Sequence, residues 1–238
     1  MEVPSAGDPG ILFRVMSGLR SLLKRVFSPF LQAGLKRYYR KPRPYTYDGI
    51  KVIVHPDVFP PHLTLSTKIL LDFVETLPLE NRRFLELGCG SGIISLLAAR
   101  NGALTTASDI NETALDYLRA AAEENNLKVN CVLSDLFTDI EEPYFDYIVI
   151  NPPYYPKKPE SVKEQAWFCG ENFEYFEKLF TQLPEYLNAE NQTFMILSED
   201  CDVGQISNIA TKNDVSLVVE RTMTRWGERN TIFRLVSG

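Results

Sequence analysis

The sequence predicts an α/β fold: a doubly wound, mostly parallel sheet that ends in an antiparallel hairpin and is preceded by a helical arm. Three observations carry this. Residues 83–100, RFLELGCGSGIISLLAAR, pass from a short apolar run (Phe84, Leu85, Leu87) through Gly88, Gly90 and Gly92 into apolar residues of helical period (Ile93, Leu96, Leu97, Ala99), which reads as strand, tight turn and helix. Further along, short strand-like runs alternate with helical patterns, the arrangement of a parallel sheet with crossover helices. Finally, VSLVVERTM and NTIFRLV follow one another without a helix between them and close the sheet as a hairpin.

The elements follow in order. Between Pro9 and Tyr47 there are nine Lys or Arg and no Asp or Glu, whereas the whole chain carries a formal charge of -6, so arm and body are electrostatically opposite. Leu12, Val15, Met16, Leu19, Leu22, Leu23 and Val26 recur at three- and four-residue spacing and predict an amphipathic helix from about Gly10 to Val26. Its apolar face is expected to pack on the body; peripheral contact with an anionic membrane and contact with nucleic acid are the alternatives. Pro42, Pro44 and neighbouring tyrosines mark a linker, which divides the chain into an arm over 1–47 and a domain over 48–238. GIKVIVHP then reads as a strand or hairpin arm. Thr67, Leu70, Leu71 and Val74 predict a helix behind a proline-rich approach, capped by Thr64 or Ser66.

After the glycine segment, which is expected to start its helix near Ser91, ALTTASDIN is a strand ending at Asp109. NETALDYLRAAAEENN is a helix with Asn111 as N-cap, and KVNCVLS and YFDYIVI are read as buried strands. Helices near ENFEYFEKLFTQLPEYL and DVGQISNIATK bracket the strand QTFMILS. With 45% hydrophobic and 24% charged residues over 238 positions, the chain can bury a full core. Four separated cysteines and two histidines offer neither a disulfide framework nor metal-ligand spacing, so no metal is expected and the reading is a cytoplasmic protein with free thiols. No apolar run approaches the roughly 20 residues of a membrane span.

Glycines at a strand-to-helix turn leave backbone bare for a ligand, and the N–H groups at the start of the helix favour an anionic group beside it. The order here is GxGxG with Glu86 two residues ahead, and acidic residues end the next two strands at Asp109 and Asp135. This resembles the class I S-adenosylmethionine (SAM) methyltransferases, whose fold is a seven-stranded sheet of this kind. The resemblance implies SAM as cofactor, held by Thr67, Glu86, Gly88, Cys89, Gly90, Gly92, Asp109, Ile110, Asn111, Asp135, Leu136 and Asn151. A carboxylate at the position of Asp109 accepts hydrogen bonds from ribose hydroxyls in such sheets, and the resemblance places Asp135 at the adenine amino group and Thr67 at the methionine end.

Directly after FDYIVI stands Asn151-Pro152-Pro153-Tyr154, at a strand end facing the same crevice. The motif resembles that of the protein glutamine methyltransferases acting on release factors, and that of amino-methyltransferases of adenine or guanine. Ala166-Trp167-Phe168-Cys169-Gly170-Glu171-Asn172 and Thr224-Arg225-Trp226-Gly227-Glu228 tilt the resemblance toward the glutamine family, although Cys169 stands where that family has a glycine. The implied reaction is methyl transfer to a planar nitrogen. Asn151 and the Pro152 carbonyl would accept its N–H bonds, Pro153 would stiffen the loop and Tyr154 would offer a ring face. The implied partner is a protein presenting a glutamine. RNA or DNA is the second reading, and a SAM-binding scaffold without turnover the third. Trp167 and Trp226 read equally well as core residues.

Overall fold

The computed structural model describes residues 40–61, 64–225 and 227–238; residues 1–39 of the arm, with its predicted helix, and His62, Leu63 and Trp226 lie outside them. The first elements are β1 (Arg43–Tyr47) and β2 (Ile50–Val54), an antiparallel hairpin, so residues read as linker form a strand. Asp48 and Gly49 form its two-residue turn, both at positive φ (43° and 81°), which matches the preference of tight hairpins for Asp-Gly. Helix α1 (Leu65–Val74) follows, then β3 (Arg83–Leu87), α2 (Ile93–Arg100), β4 (Leu104–Asp109), α3 (Glu112–Glu124), β5 (Val129–Leu133) and β6 (Tyr147–Ile150). The second half contains a one-turn helix α4 (Val162–Gln165), then α5 (Glu174–Gln182) with a 3₁₀ extension, β7 (Gln192–Ser198), α6 (Val203–Lys212) and the hairpin β8 (Val215–Arg225) and β9 (Glu228–Ser237).

The seven strands from β3 to β9 form one sheet in the order β5-β4-β3-β6-β7-β9-β8, parallel from β5 to β7, with β9 antiparallel to both of its neighbours. Both faces are covered, which explains why the central strands are apolar without alternation. Successive residues enter different cores: Phe84, Tyr147, Val149, Phe194 and Ile196 pack toward β2, α1, α2 and α3, whereas Leu85, Leu87, Ile148, Ile150, Met195 and Leu197 pack toward α5 and α6. β5 departs from the expectation of a buried strand. It is an edge strand, paired to β4 alone, and Leu133 is 48% exposed. An apolar run does not distinguish an edge strand from a central one.

This order places the site. The chain runs from β3 outward to β4 and β5, then returns to lay β6 on the other side of β3, so the switch point lies between β3 and β6. Leu87 is in register with Ser108 and Ile150, so Gly88, Asp109 and Asn151 leave the sheet side by side. Helix α1 is fixed above them by Asp72, whose carboxylate accepts from Arg225 Nη2 at 2.9 Å and from the Tyr47 hydroxyl at 3.3 Å.

Candidate active site

A cavity of about 670 Å³ opens at the carboxyl ends of β3, β4, β5 and β6, and eleven of the twelve residues expected to hold the cofactor line it, as do all four of Asn151-Pro152-Pro153-Tyr154. The exception is Gly92. It takes φ 68° as N-cap of α2, which therefore starts at Ile93 rather than near Ser91, and a Cβ on it would lie 2.3 Å from Cδ1 of Leu118. Its role is to let α2 approach α3. Gly88 is different: at φ 74° a Cβ there would meet nothing within 4 Å, so its bare backbone faces the cavity.

Asp109 closes one end. Its Oδ2 accepts from Gly90 N at 2.7 Å and its Oδ1 from Asn111 N at 2.8 Å, leaving one lone pair on each oxygen for a diol. Burial raises its pKa against these bonds. Next to it Ile110 is 41% exposed, an apolar surface suited to a flat ring. Asn111 also serves the protein: its Oδ1 caps α3 by accepting from Thr113 N at 3.1 Å, and its Nδ2 donates to the Asp57 carbonyl at 3.0 Å. Asp135 is ion-paired with Lys178 of α5 at 2.5 Å, and Leu136, at φ 57°, lines the wall beside it. The Cys89 thiol is buried and held protonated well above its usual range by that burial.

Glu86 is 5% exposed and its Oε2 accepts from Ser95 N at 2.8 Å and from the Ser95 hydroxyl, so it pins the first turn of α2. Burial pushes its carboxyl up to about 8 despite those bonds, with a smaller contribution from Asp109. An unfolded glutamate titrates near 4.5, so between those values the folded chain keeps a proton that the unfolded chain has released, and stability falls as pH rises through that window. Glu86→Gln keeps an acceptor for Ser95 and cannot ionise. Its urea midpoint should therefore decline less between about pH 5 and pH 8 than that of the parent chain; parallel declines would place the titration elsewhere.

On the opposite side, Asn151 Nδ2 donates to Thr67 Oγ1 at 3.5 Å, and Thr67 Oγ1 lies 3.0 Å from Thr64 Oγ1. Thr64 is the N-cap of α1, as expected, but makes no side-chain cap bond. The Tyr154 ring lies 4.8 Å from that of Tyr155, tilted by 50°, and burial raises its hydroxyl pKa, so the phenol stays neutral. The segment after the motif is stitched back on itself: Cys169 N donates to Tyr155 O, and Tyr155 N to Trp167 O, at 3.0 and 3.2 Å. Trp167 is half-buried in the cavity wall, its ring 4.6 Å from Phe59, rather than in a core. An ion pair of Lys163 with Asp57 at 3.1 Å joins the same two segments.

Sequence reading missed Asp57, Val58, Phe59, Gln165 and Tyr175, all lining residues. Only the prolines around Phe59 hinted at a built wall. Gln165 Oε1 is buried without a hydrogen-bond partner, an acceptor left for a ligand.

These features fit SAM: a cavity of small-molecule size, a diol-ready carboxylate, an exposed apolar surface beside it and a bare glycine. A Methanocaldococcus jannaschii protein, provisionally named a protein N5-glutamine methyltransferase, is 34% identical over 146 residues, 59% of this chain and 72% of the relative. A ribosomal RNA small subunit methyltransferase C of Haemophilus influenzae is 28% identical over 191 residues, 75% of this chain and 56% of the relative, so the match spans little more than half of that protein. Among solved structures, the 16S rRNA N2 G1207 methyltransferase of T. thermophilus, in complex with SAM and guanosine, aligns with a TM-score of 0.56 at 19% identity, covering 82% of this chain and 50% of that one, which is a likeness of fold. The family model described as methyltransferase small domain matches residues 49–205. The chain thus belongs to the methyltransferase small domain family and is a SAM-dependent methyltransferase.

Proposed function

We propose that the chain methylates the side-chain amide nitrogen of a glutamine in a protein. The observation that carries the substrate class is the charge of the cavity: Asp109, Asp135, Glu171 and Glu174 line it with Asp57, which is paired with Lys163, against Lys158 and a Lys178 already paired with Asp135. Such walls repel a phosphate backbone, whereas nucleic-acid sites collect unpaired cations. The identity with the M. jannaschii relative supports the same reading.

When bound, SAM supplies an electrophilic methyl on a sulfonium, an excellent leaving group. The protein's task is the nitrogen, whose lone pair is delocalised into the amide. Asn151 Oδ1 and the Pro152 carbonyl accept its two N–H bonds and turn the remaining lobe toward the methyl for in-line displacement. As positive charge grows on nitrogen, both acceptors interact more strongly, which stabilises the transition state selectively. The methylated nitrogen, now acidic, loses its proton to solvent, so no general base is required. Tyr154 keeps the amide plane in place with its ring, and its neutral hydroxyl takes no proton.

The test is label transfer from radioactive SAM in cell extract, followed by protease or nuclease. Label should be released by protease and survive nuclease, and digestion should yield N5-methylglutamine. Label that survives protease but is lost to nuclease would assign the activity to a nucleic acid, the substrate class named for the H. influenzae relative.

A further inference from the structure

A threonine at a helix N-cap ordinarily turns its side-chain oxygen onto a backbone N–H of the first turn. Thr64 does not cap α1 in this way; its Oγ1 lies 3.0 Å from that of Thr67, one turn on. Thr67 is itself 4% exposed and accepts from Nδ2 of Asn151. Three side chains from two distant parts of the chain therefore form a run of hydrogen bonds that ends on the residue proposed to hold the acceptor nitrogen.

The amide of Asn151 has two ends of opposite chemistry, and rotation about Cβ–Cγ exchanges them. Only Oδ1 can accept from a substrate N–H; an NH2 presented there would set donor against donor. We infer that Thr67, backed by Thr64, is a positioning residue that fixes this choice: by accepting from Nδ2 it keeps Oδ1 of Asn151 facing the substrate nitrogen. Thr64 sets the polarity of the run. With the Thr67 hydroxyl proton donated to Thr64 Oγ1, none remains to capture Asn151 Oδ1 and turn the amide the wrong way. Thr67 then acts on the reaction through Asn151, not through contact with the methionine end of the cofactor. The inference rests on the nitrogen-holding role proposed for Asn151, and it applies to a glutamine amide or a base amino group alike.

The test uses the full chain with Thr67→Val, which keeps the shape and removes the hydroxyl, and Thr67→Ser, which restores it. With a short glutamine-containing peptide, Thr67→Val should lower kcat between about tenfold and a hundredfold, with KM and SAM affinity changed less than about twofold, and Thr67→Ser should recover most of the rate. A second readout needs no turnover. In ¹⁵N-resolved NMR spectra the Asn151 side-chain NH2 pair, assigned by its loss in Asn151→Asp, should shift in Thr67→Val and hold its place in Thr67→Ser. Thr64→Val should move both readouts in the same direction by less. An Asn151 NH2 pair that ignores Thr67→Val would overturn the inference, as would weakened SAM binding with kcat intact, which would make Thr67 a cofactor contact. A parent chain that leaves every glutamine peptide unmethylated, while the NH2 pair responds as described, would sustain the positioning role and remove only the glutamine substrate.

Discussion

Asn151→Ala should lower turnover by a factor on the order of a hundred or more while SAM still binds, because the deleted acceptor interacts most strongly once charge has built on the substrate nitrogen. Asp109→Ala should fail in the opposite way. Its carboxylate holds Gly90 N and Asn111 N and offers a free lone pair on each oxygen at the end of β4. Losing charge-assisted bonds of this kind weakens binding by about 1.5–3 kcal/mol each, so loss of the pair should drop SAM affinity by about a hundredfold or more, with turnover largely retained at saturation. Calorimetry with SAM and saturation kinetics on a methylated extract protein separate the two. Equal losses of SAM affinity in both variants, with turnover preserved at saturation, would show that the roles of the two residues are not divided between chemistry and binding.

Much of this site can be read from the sequence because its signals are local. The glycine turn, Asp109 at a strand end and Asn151 directly after β6 each lie within a few residues of the element that positions them, and parallel register brings them together. What the sequence hides depends on packing between segments far apart. Glu86 looks like a cofactor ligand and lines the cavity, but Oε2 of its carboxyl also holds Ser95, and that second attachment depends on where α2 lands. Thr67 looks like either a cap or a cofactor contact, and its bond to Asn151 spans 84 positions. Trp167 is an aromatic residue that suits a core or a cavity wall equally, and its contact with Phe59 exists only because the segment after the motif folds back across the crevice. The edge position of β5 is not legible in the sequence because hydrophobicity reports that a strand is apolar, not that it has one neighbour or two.

The glycines provide the sharpest separation of fold from function. Gly92→Ala forces a side chain into left-handed backbone, at about 1–2 kcal/mol, and drives its Cβ to 2.3 Å from Leu118 Cδ1, with Cδ2 and Cγ at 2.7 and 2.8 Å. Leu118 is fully buried in the core shared by α1, α2 and α3, so it has little room to retreat, and overpacking of this kind adds about 1–3 kcal/mol. A total near 3 kcal/mol corresponds to a fall in melting temperature of about 6–12 °C for a chain of this size. Gly88→Ala meets no atom within 4 Å and suffers only the backbone strain, so its melting temperature should fall by half as much or less. Its new methyl, however, enters the cavity where the turn lies open, and SAM affinity should suffer in proportion far more than stability does. Thermal unfolding and SAM titration of the two variants should therefore rank them in opposite orders. A Gly92→Ala chain that melts with the parent would mean that Leu118 yields freely, and that contact between α2 and α3 is not what requires glycine there.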